Sequence, residues 1–429
     1  MAISATSLST VRTTSNTPSE HVSDHNTVHS PINDLTTIFN GWVTSDRAVK
    51  AGLTAINVKD AAYGAVGDNS ADDTTAFQNA ITAAAAAKLP LFIPGGHYKL
   101  SGQLAIPSGL IMYGAGQEPV NGTPTRLNFS TLSTATTAIV INGGSNITLS
   151  DFYLTGRSSG SADEISVIGQ SRAVVLERIT VNSTSTGSAF GLATTGGASH
   201  NLIKSSVRNC TAVGAGYGFR IGSSSTSTDF AQCYANTCTL AGYLIQGTYL
   251  TFTSCAADTN SLYGYIIQSG VGIVFTGCGA ETNARAGWHC TAALNVVLIG
   301  CRGVSNNTSA NAALPAFLDI NDASDYVTCI GCVDTTPNAA STAAVSNWNG
   351  TAPTTTTLIN NDFTAKGVHS SLRDTLTVRV AALSAGVAAK APLKIPHGVA
   401  PTSPVDGDIW TTTSGLFVRV NGSTVGPLT

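Results

Sequence analysis

The sequence predicts an all-β chain: a right-handed parallel β-helix with an N-terminal capping helix and a small C-terminal β-strand domain. Three observations predict it. First, an apolar residue followed three places later by Cys or another apolar residue recurs as Leu149/Phe152, Leu176/Ile179, Val207/Cys210, Phe230/Cys233, Phe252/Cys255, Phe275/Cys278, Leu298/Cys301 and Cys329/Cys332. The second members lie 27, 31, 23, 22, 23, 23 and 31 residues apart, so a base coil of 22 or 23 residues, lengthened by loops, accounts for every interval. Second, a glycine and an aromatic open another strand about ten residues after a cysteine: Gly242-Tyr243-Leu244-Ile245, Gly264-Tyr265-Ile266-Ile267 and Gly287-Trp288-His289-Cys290. Third, Asn260, Asn283 and Asn306 each stand five residues after their cysteine, the register of an internal asparagine ladder at a tight bend.

Composition agrees. Charged residues make up 10% of the 429 positions, against roughly 25% in ordinary globular domains. Apolar residues reach 42%, which excludes a disordered chain. The net charge of −3, without a basic run, excludes a nucleic-acid partner. Stretches long and apolar enough to span a membrane are absent, so no membrane insertion is expected. The opening Met-Ala-Ile-Ser-Ala-Thr lacks the charged and apolar regions of a secretory signal. All nine cysteines lie between Cys210 and Cys332; their odd number, with no signal peptide, argues for reduced, buried thiols.

Three regions follow in order. Residues 1–50 are a polar arm and a short helix. There Ser30-Pro31 reads as an N-cap and first helical position, and Ile32, Leu35, Phe39 and Trp42 form a short apolar stripe. The stripe either helps three chains meet or packs on its own chain. Residues 51–365 are the β-helix with its cap. Ile56-Asn57-Val58 and Leu91-Phe92-Ile93 read as strands; between them Asp72-Asp73 caps a helix from about Thr74 to Ala87, with Phe77, Ala80, Ile81 and Ala84 on one face. A solenoid needs such a cap because its first coil has no neighbour. In residues 366–429, Asp408–Thr411 and Leu416–Val420, with turns at Ser414-Gly415 and Asn421-Gly422, read as paired short strands.

The block Tyr63-Gly64-Ala65, Gly67-Asp68, Asp72-Asp73-Thr74, Ala80-Ile81 and Pro94-Gly95-Gly96-His97-Tyr98 resembles the N-terminal signature of the pectate-lyase-like β-helix superfamily of phage tailspikes and polygalacturonases. The signature is specific for the fold and transfers no catalytic residue. Ser23-Asp24-His25-Asn26 with Ile32-Asn33-Asp34-Leu35 is similar to the openings of phage tail proteins. Pro401–Trp410 with Gly415–Gly422 looks like a tail-fibre C-terminus. The resemblance implies a homotrimeric tailspike in the virion tail, assembled in the host cytoplasm. It implies attachment to tail, baseplate or adaptor proteins through residues 1–50, and binding and cleavage of host surface polysaccharide. The C-terminal strands would then serve trimerisation or binding. A non-catalytic receptor-binding fibre and a secreted pectinase-like enzyme are the alternatives.

Two constellations suit polysaccharide chemistry. Glycoside hydrolysis needs paired carboxylates, and same-register residues on coils about 4.8 Å apart make such pairs. Asp258 and Glu281, each three residues after its cysteine, are one pair, with Arg285 following in the same turn. Solvated turn residues with Arg285 as counter-charge are the plainer alternative. If Trp288 and Leu318 point inward, Arg220, Leu244, Ile266, His289 and Asp319 form an outward column. His289–Asp319 would then be an oriented base, as a lyase requires, or simply an exposed polar pair. Asp322 and Asp325 lie nearby and could contribute to one acidic cleft. Cys329-x-x-Cys332 reads as part of the core repeat rather than a metal site, and His21, His25 and His29 as a flexible arm. No metal or cofactor is expected.

Overall fold

In the computed structural model the described residues are 55–117, 123–194, 202–310, 315–321, 323–335, 341, 344–348, 356–359, 361–363 and 398–428. The polar arm, its helix and the histidine triplet lie outside them, as do Asp322 and residues 364–397. The chain divides into two units, Met1–Asp374 and Thr375–Thr429.

The first unit is a parallel β-solenoid of the predicted period, three-sided through its regular coils. One face carries Phe230, Phe252, Phe275, Leu298 and Cys329 in direct register, all buried. We call it the phenylalanine face. The chain then passes a residue in the left-handed region: Asn209, Gln232, Ser254, Gly277, Gly300 or Gly331, with φ between 51° and 60°. Each such corner costs a non-glycine residue about 1 kcal/mol, and stacking with neighbouring coils holds it. The ladder cysteine follows the corner and turns inward; all nine thiols are free and buried.

The second face alternates strictly. Ala212, Ala235, Ala257 and Ala280 point into the lumen, and the residues on either side point out. Small inward side chains let this alanine face lie close to the larger residues opposite. A second left-handed corner at Thr237, Thr259, Thr282 and Ser305 closes it. The asparagine ladder lies just beyond. Asn260 Nδ2 donates to Asn283 Oδ1 at 2.8 Å, and Asn283 Nδ2 donates to Asn306 Oδ1 at 2.8 Å. The backbone amides of Asn260 and Asn283 donate to the same two oxygens, both at 3.1 Å. Cys238 stands at this register one coil earlier, where its amide donates to Asn260 Oδ1.

The third, tyrosine face stacks Phe190, Phe219, Tyr243, Tyr265 and Trp288 inside the lumen, with successive ring centroids 4.6 to 5.2 Å apart. These ring columns bury the largest side chains of the chain and supply much of the apolar driving force.

The helix Thr74–Ala87 closes the first coil, packing Ala76, Phe77, Ala80, Ile81 and Ala84 against strands Ile56–Asn57, Leu91–Ile93 and Leu104–Ala105. Of the two aspartates expected to cap it, only one does so with its side chain. Asp72, not Asp73, accepts the Thr74 amide, at 3.0 Å. The Asp73 carboxylate instead binds the Val66 and Gly67 amides at 2.7 and 3.1 Å, because the turn before the helix folds back over it. Arg157 and Glu164 form a buried ion pair at 3.3 Å inside an inserted loop, with Ser183 donating to Glu164 at 2.7 Å. That pairing makes them structural.

The second unit contains three antiparallel strands, Ile409–Thr412, Gly415–Val420 and Ser423–Leu428. Asn421 and Gly422 both have positive φ, as a two-residue hairpin loop requires. Trp410 stacks on Phe417 with ring centroids 5.6 Å apart.

The ladder yields a stability prediction. Asn283→Ala would strip hydrogen-bond partners from Asn260, Asn306 and the Ala257 carbonyl together. Leaving buried amides unpaired should cost about 3 kcal/mol, read as a lowered thermal midpoint. A variant that melts with the wild type would mean the ladder contributes nothing.

Candidate functional site

The predicted site residues come together in two groups on different faces. Asp258 and Glu281 are direct register partners at the ends of successive alanine-face strands. The Tyr234 hydroxyl donates to Asp258 Oδ2 at 2.8 Å, and the Thr259 hydroxyl donates to Oδ1 at 2.6 Å. Burial, then the bond to Asp258, pushes the Tyr234 phenol above its usual range. The exposed Glu281 carboxylate takes no hydrogen bond from the described residues. A surface cavity of about 240 Å³ lies here, lined by Tyr234, Asp258, Gly279, Glu281, Arg302 and Val304, among others.

Arg285 does not join these acids. Asn283 turns the chain inward between Glu281 and Arg285, so the guanidinium runs with the tyrosine face. There it lies 5.4 Å from the Tyr263 ring centroid and donates to the Tyr263 hydroxyl at 3.4 Å.

Arg220, Leu244, Ile266, His289 and Asp319 do form one column of register partners, across the long inserted loop before Asp319. His289 Nδ1 lies 2.8 Å from Asp319 Oδ2. A carboxylate accepts, so Nδ1 carries the proton and Nε2 is left as the basic nitrogen. Asp319 is buried to 2% exposure, while the His289 side chain keeps 17%. The Tyr263 ring stacks on the imidazole with centroids 4.4 Å apart, and its hydroxyl donates to Asp319 Oδ2 at 3.3 Å. Burial, then the Asp319 charge, raises the Tyr263 phenol, so it stays protonated at neutral pH. Asp319 Oδ1 is buried with no hydrogen-bond partner among the described residues. The group is therefore an imidazole held in one tautomer and one plane, stacked on a tyrosine whose hydroxyl takes a hydrogen bond from the Arg285 guanidinium.

Tyr263 was not among the residues singled out from the sequence. Its signal was available: the residue before the register glycine runs Ala241, Tyr263, Ala286, with Ala316 in the same position on the next coil, and only one of the four is large. Tyr234 and Arg302 were likewise passed over. Asp325 pairs in register with Leu294 on the phenylalanine face, away from the His289 column. Among the described residues no group of three or more His, Cys, Asp or Glu side chains is placed to hold a metal ion. None of the described helices is long and apolar enough to cross a membrane.

Residues 55–266 match the family model described as rhamnogalacturonase A/epimerase, pectate lyase-like. Over these residues the chain resembles the pectate-lyase-like β-helix superfamily. Among solved structures of this fold, the A-module of mannuronan C-5 epimerase AlgE4 from Azotobacter vinelandii aligns with a TM-score of 0.56 at 20% identity. That alignment covers 73% of this chain and 96% of the module. The corresponding AlgE6 module gives 0.54 at 18% identity, covering 71% and 98%. In sequence, the chain is 36% identical over 138 residues to the pre-neck appendage protein of Bacillus phage B103. The match takes in 28% of this chain and 15% of that relative's length.

Proposed function

We propose that the chain is a phage tail appendage, a tailspike, whose β-helix binds and cleaves a host surface polysaccharide, capsule or lipopolysaccharide, during adsorption. The resemblance to a phage pre-neck appendage protein supports a place in the virion tail. Residues 1–50 would attach it to tail, baseplate or adaptor proteins, and three copies would assemble, covering the long flat faces of each coil stack.

The observation that carries the cleavage reading is the His289–Asp319 pair, stacked under Tyr263, whose hydroxyl also meets Arg285. One carboxylate committed to orienting an imidazole does not supply the two free carboxylates of a glycoside hydrolase. It does supply a base, with a cation to neutralise an acidic sugar. The reaction that fits is β-elimination at a uronate. The proton beside the carboxylate passes to His289 Nε2 and its electron pair forms the ring double bond. The glycosidic C–O bond breaks, and the leaving oxygen takes a proton from water. Arg285 would hold the uronate carboxylate. Asp319 and Tyr263 are positioning residues.

Incubating the full chain with host capsule or lipopolysaccharide and sizing the products tests this reading. Shorter chains that absorb in the ultraviolet as unsaturated uronates are expected. Reducing ends without that absorbance would make the chain a hydrolase. Retention of polymer without shortening would make it a binding fibre.

A further inference from the structure

The surface cavity beside Asp258 and Glu281 is not used by that chemistry. On the alanine face the first outward column runs Thr211, Tyr234, Ala256, Gly279, Arg302 and Val333. Two minimal residues thus separate a tyrosine from an arginine, which leaves a notch two coils high. Its floor is Ala256 and Gly279, its ends are Tyr234 and Arg302, and its side is Asp258 and Glu281.

The fold itself does not require Gly279. Its backbone is outside the left-handed region, and a Cβ added there would meet nothing within 4 Å. Gly303, one coil on, contrasts with it, since a Cβ there would press to 2.8 Å from Asp334 Oδ1 and from the Phe317 ring. A strand disfavours a glycine without a packing reason. What the missing side chain at Gly279 does is hold the notch open.

We infer that this notch is a sugar-binding subsite that takes one neutral hexopyranose unit. The cavity of about 240 Å³ is below the roughly 300–1,000 Å³ of pockets for larger ligands, so it holds a single ring. The Tyr234 ring offers an apolar wall for the C–H face of a sugar. The unpartnered Glu281 carboxylate, with Asp258 in register, accepts hydrogen bonds from vicinal hydroxyls, and Arg302 donates to ring or glycosidic oxygens. Two carboxylates against one guanidinium repel an acidic sugar, so the unit is neutral. The choice of a sugar rests on the polysaccharide reading above; the notch and its geometry do not.

The test uses the full chain and methyl glycosides of glucose, galactose, mannose and rhamnose as probes, with saturation-transfer NMR as readout. At least one probe is expected to bind wild type, with Gly279→Leu weakening it ten-fold or more at an unchanged thermal midpoint. Tyr234→Ala should weaken the same probe. His289→Ala should leave probe binding intact, which separates this site from the proposed catalytic one: cleavage can fail while the notch binds, and the reverse. Binding of no probe by wild type, or equal binding by Gly279→Leu, overturns the assignment. A changed oligomeric state in Gly279→Leu with probe binding intact also overturns it, by making the notch a chain–chain contact.

Discussion

A His289→Ala variant should lose polysaccharide cleavage by about 10²–10⁴-fold, the usual worth of a general base, while its coil stack survives. Survival is expected because His289 points out of the lumen and keeps part of its surface in solvent. Its inward neighbours Trp288 and Cys290 carry the packing of that strand. The loss should fall on kcat, since the imidazole acts on a proton in the transition state rather than holding the sugar. His289→Gly should be partly rescued by added imidazole, an effect that a purely structural histidine would not show. Asp319→Asn should cost nearly as much as the alanine variant. Its amide nitrogen, facing Nδ1, would offer a donor where the imidazole needs an acceptor, and so favour the wrong tautomer. A His289 variant with wild-type turnover would move the chemistry elsewhere.

The largest stability effect is expected at Asp334. It occupies the inward alanine register, after Ala280 and Gly303, and is 4% exposed. Among the described residues neither carboxylate oxygen has a hydrogen-bond partner. Burial raises its pKa from 3.8 to about 7. A folded pKa above the unfolded one means that the folded coil holds the proton over that interval. The contribution is therefore fully present below about pH 4 and is lost as pH rises to about 7. At about 1.4 kcal/mol per pH unit the loss amounts to about 4 kcal/mol. The thermal midpoint of the wild type should fall across this interval, and that of Asp334→Ala should not. The alanine variant should also be the more stable of the two at pH 8, since it restores the residue that earlier coils carry at this register. Parallel pH profiles for the two proteins would remove Asp334 as the cause.

The fold was legible because a parallel coil repeats its own contacts. Phe230, Phe252 and Phe275 must each meet the same neighbours, so the period of the stack is written in their spacing. The asparagine ladder was legible for the same reason. So was the facing of His289 and Asp319, because Trp288 and Leu318 announce the inward positions on both strands. Which of the adjacent Asp72 and Asp73 caps the helix was not legible, since the choice depends on a turn that folds back from Val66.

What the sequence by itself determined is register: which residues share a column, and that Asp258 meets Glu281 and His289 meets Asp319. What only the tertiary structure decided is company. The bend at Asn283 sends Arg285 away from Glu281, and the Tyr263 hydroxyl reaches across to Asp319, 56 residues on. Register is a property of period, which each coil carries in its own residues. Company across corners and across coils depends on the direction of each corner and the length of each inserted loop, which set side-chain positions in space without leaving a repeat to read.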